Sequence, residues 1–258
     1  MTDNPLLIES GLPYGAPQFD KIRNEHYLPA FREAINEAKA EIDEIVSSPE
    51  LPTFANTIEA LEYSGKTLGH VSDIFFNILE ADADDELQQI AEEVSPMMTE
   101  YSMYVSLNPV LFSKVKAVYD QRGNLELSTD QQRLLEETYK SFSRQGANLS
   151  DEDKKKYSDY MEELSLLSLK FGKNVLAATN AFVLHITDEQ QLAGLPDYLK
   201  DLGRMTAKEK GLDGWAFTLD RPSYGPFMQN CEDPQLRKQM YLAYNTRCVG
   251  GENDNTKI

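Results

Sequence analysis

From His26 onward, apolar residues fall at Leu28, Phe31, Ile35, Ala38, Ile42 and Ile45. These steps of three and four line one stripe of an α-helix. Pro49 and Pro52 end the run. A second helical stretch, announced by Asn56-Thr57, can bury Ile58, Leu61, Leu68, Val71, Phe75 and Ile78, while Gly65 and Gly69 weaken its middle. The acidic group Asp82, Asp84, Asp85 and Glu86 then precedes Leu87, Ile90, Ala91 and Val94, where carboxylates meet the positive end of a helix. Further helices are expected over 97–107 and 109–119, and Ser128 with Gln131 fits a capping box that opens another. The longest stripe is Tyr157, Tyr160, Leu164, Leu167, Phe171 and Val175, following the Ser150-Asp-Glu-Asp153 start. It predicts one helix of about six turns or more.

Around Ala181 the period changes. Phe182, Leu184 and Ile186 alternate with other residues, as do Trp215, Phe217 and Leu219, which predicts two short strands. A helix over 196–210, stopping at Gly211, joins them, and a last helix follows Asp233-Pro234 with Leu236, Met240, Ala243 and Tyr244 inward. The Pro-, Gly- and Asn-rich opening reads as an extended arm lying on the body. The sum is a mostly α chain with a short two-stranded β element late in its length. Its parts are an arm over 1–24, helices over 25–180, strand–helix–strand over 181–220 and a helix over 234–249. The closing 250–258 reads as a loop and helix cap, which points to a fragment whose next helix lies beyond.

Composition narrows the partners. A chain of 258 residues with 41% hydrophobic residues can bury a sizeable core. Its formal net charge of −18 repels phosphate backbones and anionic headgroups, so neither nucleic acid nor membrane is expected as a partner. The acidic residues are spread along the chain, as in a solvated surface; the other reading is a wall that attracts cationic ligands. Cys231 and Cys248 lack Cys-x-x-Cys spacing and read as ordinary thiols. No basic region followed by a long apolar run opens the chain, and nowhere do eighteen apolar residues follow one another. A cytoplasmic location is the expectation.

Candidate chemistry is sparse. His26, His70 and His185 have no second histidine four residues away and no glutamate three away, so zinc-protease and di-iron spacings are absent. His26 and His185 read as capping or packed residues. Counted from Asp82, Leu87 stands where an EF-hand needs glycine. There is no Gly-x-Ser-x-Gly elbow and no phosphate loop. Glu136-Glu137 and Glu162-Glu163 read as solvated helix faces rather than a glycosidase pair. Two aromatic groups remain: Pro222-Ser-Tyr-Gly-Pro-Phe227, read as a loop, and Tyr241, Tyr244 and Arg247 on the last helix. Tyr224, Phe227, Tyr241 and Arg247 are therefore candidates for lining a peptide channel, with core or turn packing as the alternative. No catalytic or metal-binding residue is identified.

Several segments together resemble the start of bacterial peptidyl-dipeptidases of the thimet oligopeptidase family. They are Asn4-Pro-Leu-Leu with Leu12-Pro-Tyr-Gly-Ala-Pro-Gln-Phe-Asp20, His26-Tyr-Leu-Pro-Ala-Phe31, Phe54-Ala-Asn-Thr-Ile-Glu-Ala-Leu-Glu62 and Arg144-Gln-Gly-Ala-Asn-Leu-Ser150. Phe171-Gly-Lys-Asn-Val-Leu176, Trp215-Ala-Phe-Thr-Leu-Asp220 and Leu236-Arg-Lys-Gln-Met-Tyr-Leu-Ala-Tyr-Asn-Thr-Arg247 complete the set, which covers nearly the whole chain in order. The resemblance implies a helical ellipsoid cut by a deep channel, with zinc held by a His-Glu-x-x-His helix and a later glutamate. In the family those residues fall beyond this chain, so none is carried over and no cofactor is expected in these 258 residues. It further implies that this part walls a channel admitting short peptides, that a missing C-terminal part supplies the chemistry, and that the parent releases C-terminal dipeptides. An oligopeptidase of the same family that cuts internally and a non-catalytic helical interaction module are the competing expectations.

Overall fold

The structure, a computed structural model, describes residues 4–8 and 10–258. It divides into two compact units, Met1–Leu166 and Leu167–Ile258.

In the first unit, α1 (Asn24–Ser47) packs against α3 (Lys66–Ala81) and α4 (Asp85–Ser106). The stripe that α1 buries is wider than the predicted one, because Tyr27, Ala30 and Ala34 join Phe31, Ile35, Ala38, Ile42 and Ile45 while Leu28 stays part-exposed. Phe75 of α3 receives Tyr27 and Phe31 edge-on, with ring centroids 5.0 and 5.4 Å away. Around the far end of α1, Ile42 and Ile45 join Ile58, Leu111, Phe112, Val115, Leu135 and Phe142, drawn from the π-helical turn Phe54–Glu59, α5 (Pro109–Asp120) and α6 (Thr129–Arg144). The arm contributes Leu6, which is buried, and Asn4, whose Nδ2 donates to the His26 carbonyl at 2.9 Å. Residues 1–3 and 9 of that arm lie outside the described residues.

Two expected boundaries move. The helix predicted from Asn56 through Ile78 is broken: α2 (Ala60–Tyr63) stops before Gly65, which lies in the left-handed region at φ 69° and only then lets α3 begin. The Gly65 N–H is taken by Glu41 Oε2 at 2.6 Å, a partner on α1 that no local pattern reveals. Conversely, the helices expected on either side of Pro96 are one, α4. Pro96 forfeits a backbone bond, yet Leu87, Ile90, Ala91, Val94 and Met103 are buried on both sides of it, and packing carries the helix through. Local capping follows the sequence more closely. Asp84 accepts from Leu87 N at 2.7 Å, Asn108 from Val110 N and Leu111 N, and Ser128 and Gln131 bond each other reciprocally.

Helix α7 (Asp151–Ala181) runs for 31 residues, and the division between the units falls within it. None of its residues is buried.

In the second unit, β1 (Leu184–Ile186) and β2 (Trp215–Phe217) pair antiparallel, with His185 opposite Ala216. Between them α8 (Asp197–Glu209) crosses close to the sheet at Gly203, where even a methyl group would stand 2.9 Å from the Phe217 ring. The core here gathers Leu184, Ile186, Leu199, Phe217, Phe227 and Met240, among others. The segment expected to be a loop after β2 is helical, α9 (Arg221–Asn230). Pro222 sits in its first turn, where proline's missing N–H and fixed φ suit a helix start, and Ser223 Oγ accepts from Thr218 N at 3.0 Å. Helix α10 (Pro234–Asn245) is capped by Asp233, which accepts from Gln235 N and Leu236 N. Among the described residues no helix is long and apolar enough to cross a membrane.

Candidate functional site

The four channel candidates fall on α9, α10 and the turn after it, and the structure separates them. Phe227 is fully buried, its ring tilted against Phe217 at 4.8 Å, so it supports the second unit's core and offers no surface to a ligand. Tyr224, one turn earlier, is only part-buried and stacks on Tyr244 with centroids 4.2 Å apart and planes 17° from parallel. The Arg247 guanidinium lies over the other part of this pile, 4.0 Å from the Tyr244 centroid. Its Nε donates to the Tyr244 carbonyl at 3.0 Å, and one terminal nitrogen donates to Thr179 Oγ1 of α7 at 2.8 Å. Tyr241 stands apart, about half exposed.

Tyr224, Tyr244 and Arg247 thus form a pile fixed at its cationic end by two hydrogen bonds. A planar guanidinium held in this way, with part of its fork still unengaged, can receive a carboxylate or a peptide carbonyl, and the aromatic faces beneath can accept apolar side chains. Thr179 was not foreseen: it lies 68 residues from Arg247, and nothing near it in the chain signals the pairing.

Two of the three histidines have a local occupation. His26 Nδ1 accepts from Arg23 N at 3.0 Å and so caps α1. His185 Nε2 lies 2.6 Å from the Asp213 carbonyl and 3.6 Å from its carboxylate. His70 is exposed on α3. Among the described residues no three His, Cys, Asp or Glu side chains come together as a metal-ligand set. The acidic group before α4 serves the helix start and Asn24, whose Nδ2 donates to Glu86 at 2.9 Å and to Asp84. Glu136 and Glu137 both pair with Lys140 at the surface. Cys231 is a buried thiol, pushed up by that burial, and Cys248 is likewise buried and unpaired.

No family model matches the chain. Individual proteins do. Dipeptidyl carboxypeptidase of Escherichia coli K12 is 37% identical over 257 residues, covering 99% of this chain and 38% of that protein. Oligopeptidase A of the same organism is 30% identical over 260 residues, and that of Haemophilus influenzae 32%, covering 38% and 37% of their lengths. The chain therefore spans somewhat over a third of the relatives it matches. Over its whole length it is the homologue of one part of the dipeptidyl carboxypeptidase and oligopeptidase A family.

Proposed function

We propose that the chain is the amino-terminal, channel-wall part of a cytoplasmic zinc metallopeptidase that removes C-terminal dipeptides from short peptides. The observation that carries this reading is the match of 99% of the chain to only 38% of a dipeptidyl carboxypeptidase. On this reading the zinc ligands and the residues that activate water belong to the remaining part, and the chain alone is inactive. What these residues contribute is shape and recognition. The Tyr224–Tyr244–Arg247 pile is the surface best suited to hold a peptide, by stacking and by a fixed donor.

The matches to oligopeptidase A favour a second reading, a relative that cuts internally. One experiment separates them. The complete reading frame is expressed and incubated with an N-blocked octapeptide, and the products are weighed. Successive loss of two residues from the carboxyl end, abolished by a chelator and restored by zinc, is the expected outcome. Internal fragments would replace the first reading with the second. A reading frame that stops at Ile258, or turnover by the 258-residue chain alone, would overturn both.

A further inference from the structure

The exposed stripe of α7 belongs to a helix of 31 residues, of which the part from Leu167 onward belongs to the second unit. In the second unit Leu167, Phe171 and Val175 lie on one face of it, yet Phe171 is 50% exposed and neither of the others is buried. No other helix or strand among the described residues packs broadly on α7. An amphipathic helix draws most of its stability from covering such a face.

The end of the chain lies on the same helix. Asn255 Nδ2 donates to the Phe171 carbonyl at 3.1 Å, Asn174 Nδ2 donates to Asn255 Oδ1 at 2.7 Å, and Asn255 N donates to the Cys248 carbonyl at 2.9 Å. Asp254 folds the loop behind it by accepting from Gly250 N and from both the backbone N and the hydroxyl of Thr256. Three residue steps, at most about 3.6 Å apiece, lead from Asn255 to Ile258. Any continuation starts beside Phe171.

We propose that this stripe, centred on Phe171, is the docking face for the segment that follows Ile258 in the complete protein. The inference rests on the reading above that the chain is one part of a longer peptidase. Two observations select this occupant over a second copy. The relatives carry well over half of their length outside the matched part, which is ample to cover a helix face. And a segment tethered three residues from the site competes at an effective concentration in the millimolar range for short linkers. The Asn174–Asn255 pair then acts as the latch that sets where the continuation begins.

The test uses the complete protein with the photoreactive residue p-benzoylphenylalanine at position 171, and in a second version at position 175, prepared as a mixture of nitrogen-15-labelled and unlabelled copies. Each is irradiated, digested and analysed by mass spectrometry after a melt confirms the parent's transition. The expected result is linkage from residue 171 to peptides beyond residue 258 of the same copy. Links confined to residues 1–258, links joining labelled to unlabelled copies, or no links at all would overturn the proposal. If the reading frame ends at Ile258, the peptidase reading fails and takes this one with it. If the complete protein is an active peptidase and the links fall elsewhere, this one fails alone.

Discussion

Tyr224 and Phe227 stand three positions apart on α9, yet only Tyr224 keeps surface for a ligand. The difference has an energetic signature. Phe227→Ala empties a fully buried ring site and should destabilise the second unit by about 3–5 kcal/mol, whereas Tyr241→Ala, at a half-exposed position, should stay within about 0.5 kcal/mol. Urea melts of the two variants check this; comparable losses would mean that Tyr241 is packed. The sequence could mark the aromatic cluster as unusual but could not sort it. The Pro-Ser-Tyr-Gly-Pro spelling reads as a loop, and only the helix it forms decides which ring turns inward. His26 was more legible, because a cap is a contact between neighbours and its partner is three residues away.

At the scale of elements, the two glycines of the second helical stretch show what spacing can and cannot reveal. Both look like weak points in one helix. Gly65 in fact breaks it: φ is 69°, and an added methyl group would meet the Tyr101 hydroxyl at 3.4 Å and Ala38 at 3.8 Å. Gly69 lies inside α3 with nothing within 4 Å of an added methyl group. Opposite signs follow. Gly65→Ala forces a left-handed alanine and should destabilise by about 1–2 kcal/mol, while Gly69→Ala should stabilise by about 0.5–1 kcal/mol through helix propensity. Thermal melts that moved the same way would refute the break. The Ser128 cap and the helix starts at Asp84 and Asp233 were legible because each is decided within four residues. The Gly65 break and the passage of α4 through Pro96 were not, since tertiary partners decide both.

The loop after α10 adds a pH dependence. Hydrogen bonds to Asp254, first from Thr256 N, then from the Thr256 hydroxyl and Gly250 N, hold its carboxyl below the usual range. A folded value lowered in this way contributes stability that is complete above the ordinary value of about 4 and is lost as pH falls through the folded value. The loop over 250–258 should therefore loosen on acidification below about pH 4, seen as a shift of the Gly250 amide resonance. Asp254→Ala should show the loosened shift at every pH; a titration unchanged by that substitution would assign the effect to another group.

For the whole molecule the deciding quantity is charge. Its side chains carry a formal net charge of −18, and pairs such as Lys116–Asp120 at 2.5 Å and Lys156–Glu152 at 2.8 Å join side chains that are about half exposed or more. Exposed pairs contribute little because water and salt screen them, and within one helix they offset only their own neighbours. Self-repulsion of the net charge acts over the full Debye length, about 30 Å at 0.01 M salt and about 8 Å at 0.15 M. Repulsion should win, so the melting temperature of the chain should rise when sodium chloride is raised from 10 to 150 mM, and sodium sulfate at matched ionic strength should give at least as large a rise. The same field fits the absence of any nucleic-acid reading from the sequence, which depended on a sum over side chains and needed no fold. A melting temperature that falls with added salt would show that ion pairs outweigh the net charge, and the acidic surface would then have to be treated as a set of specific contacts rather than as a solvated shell.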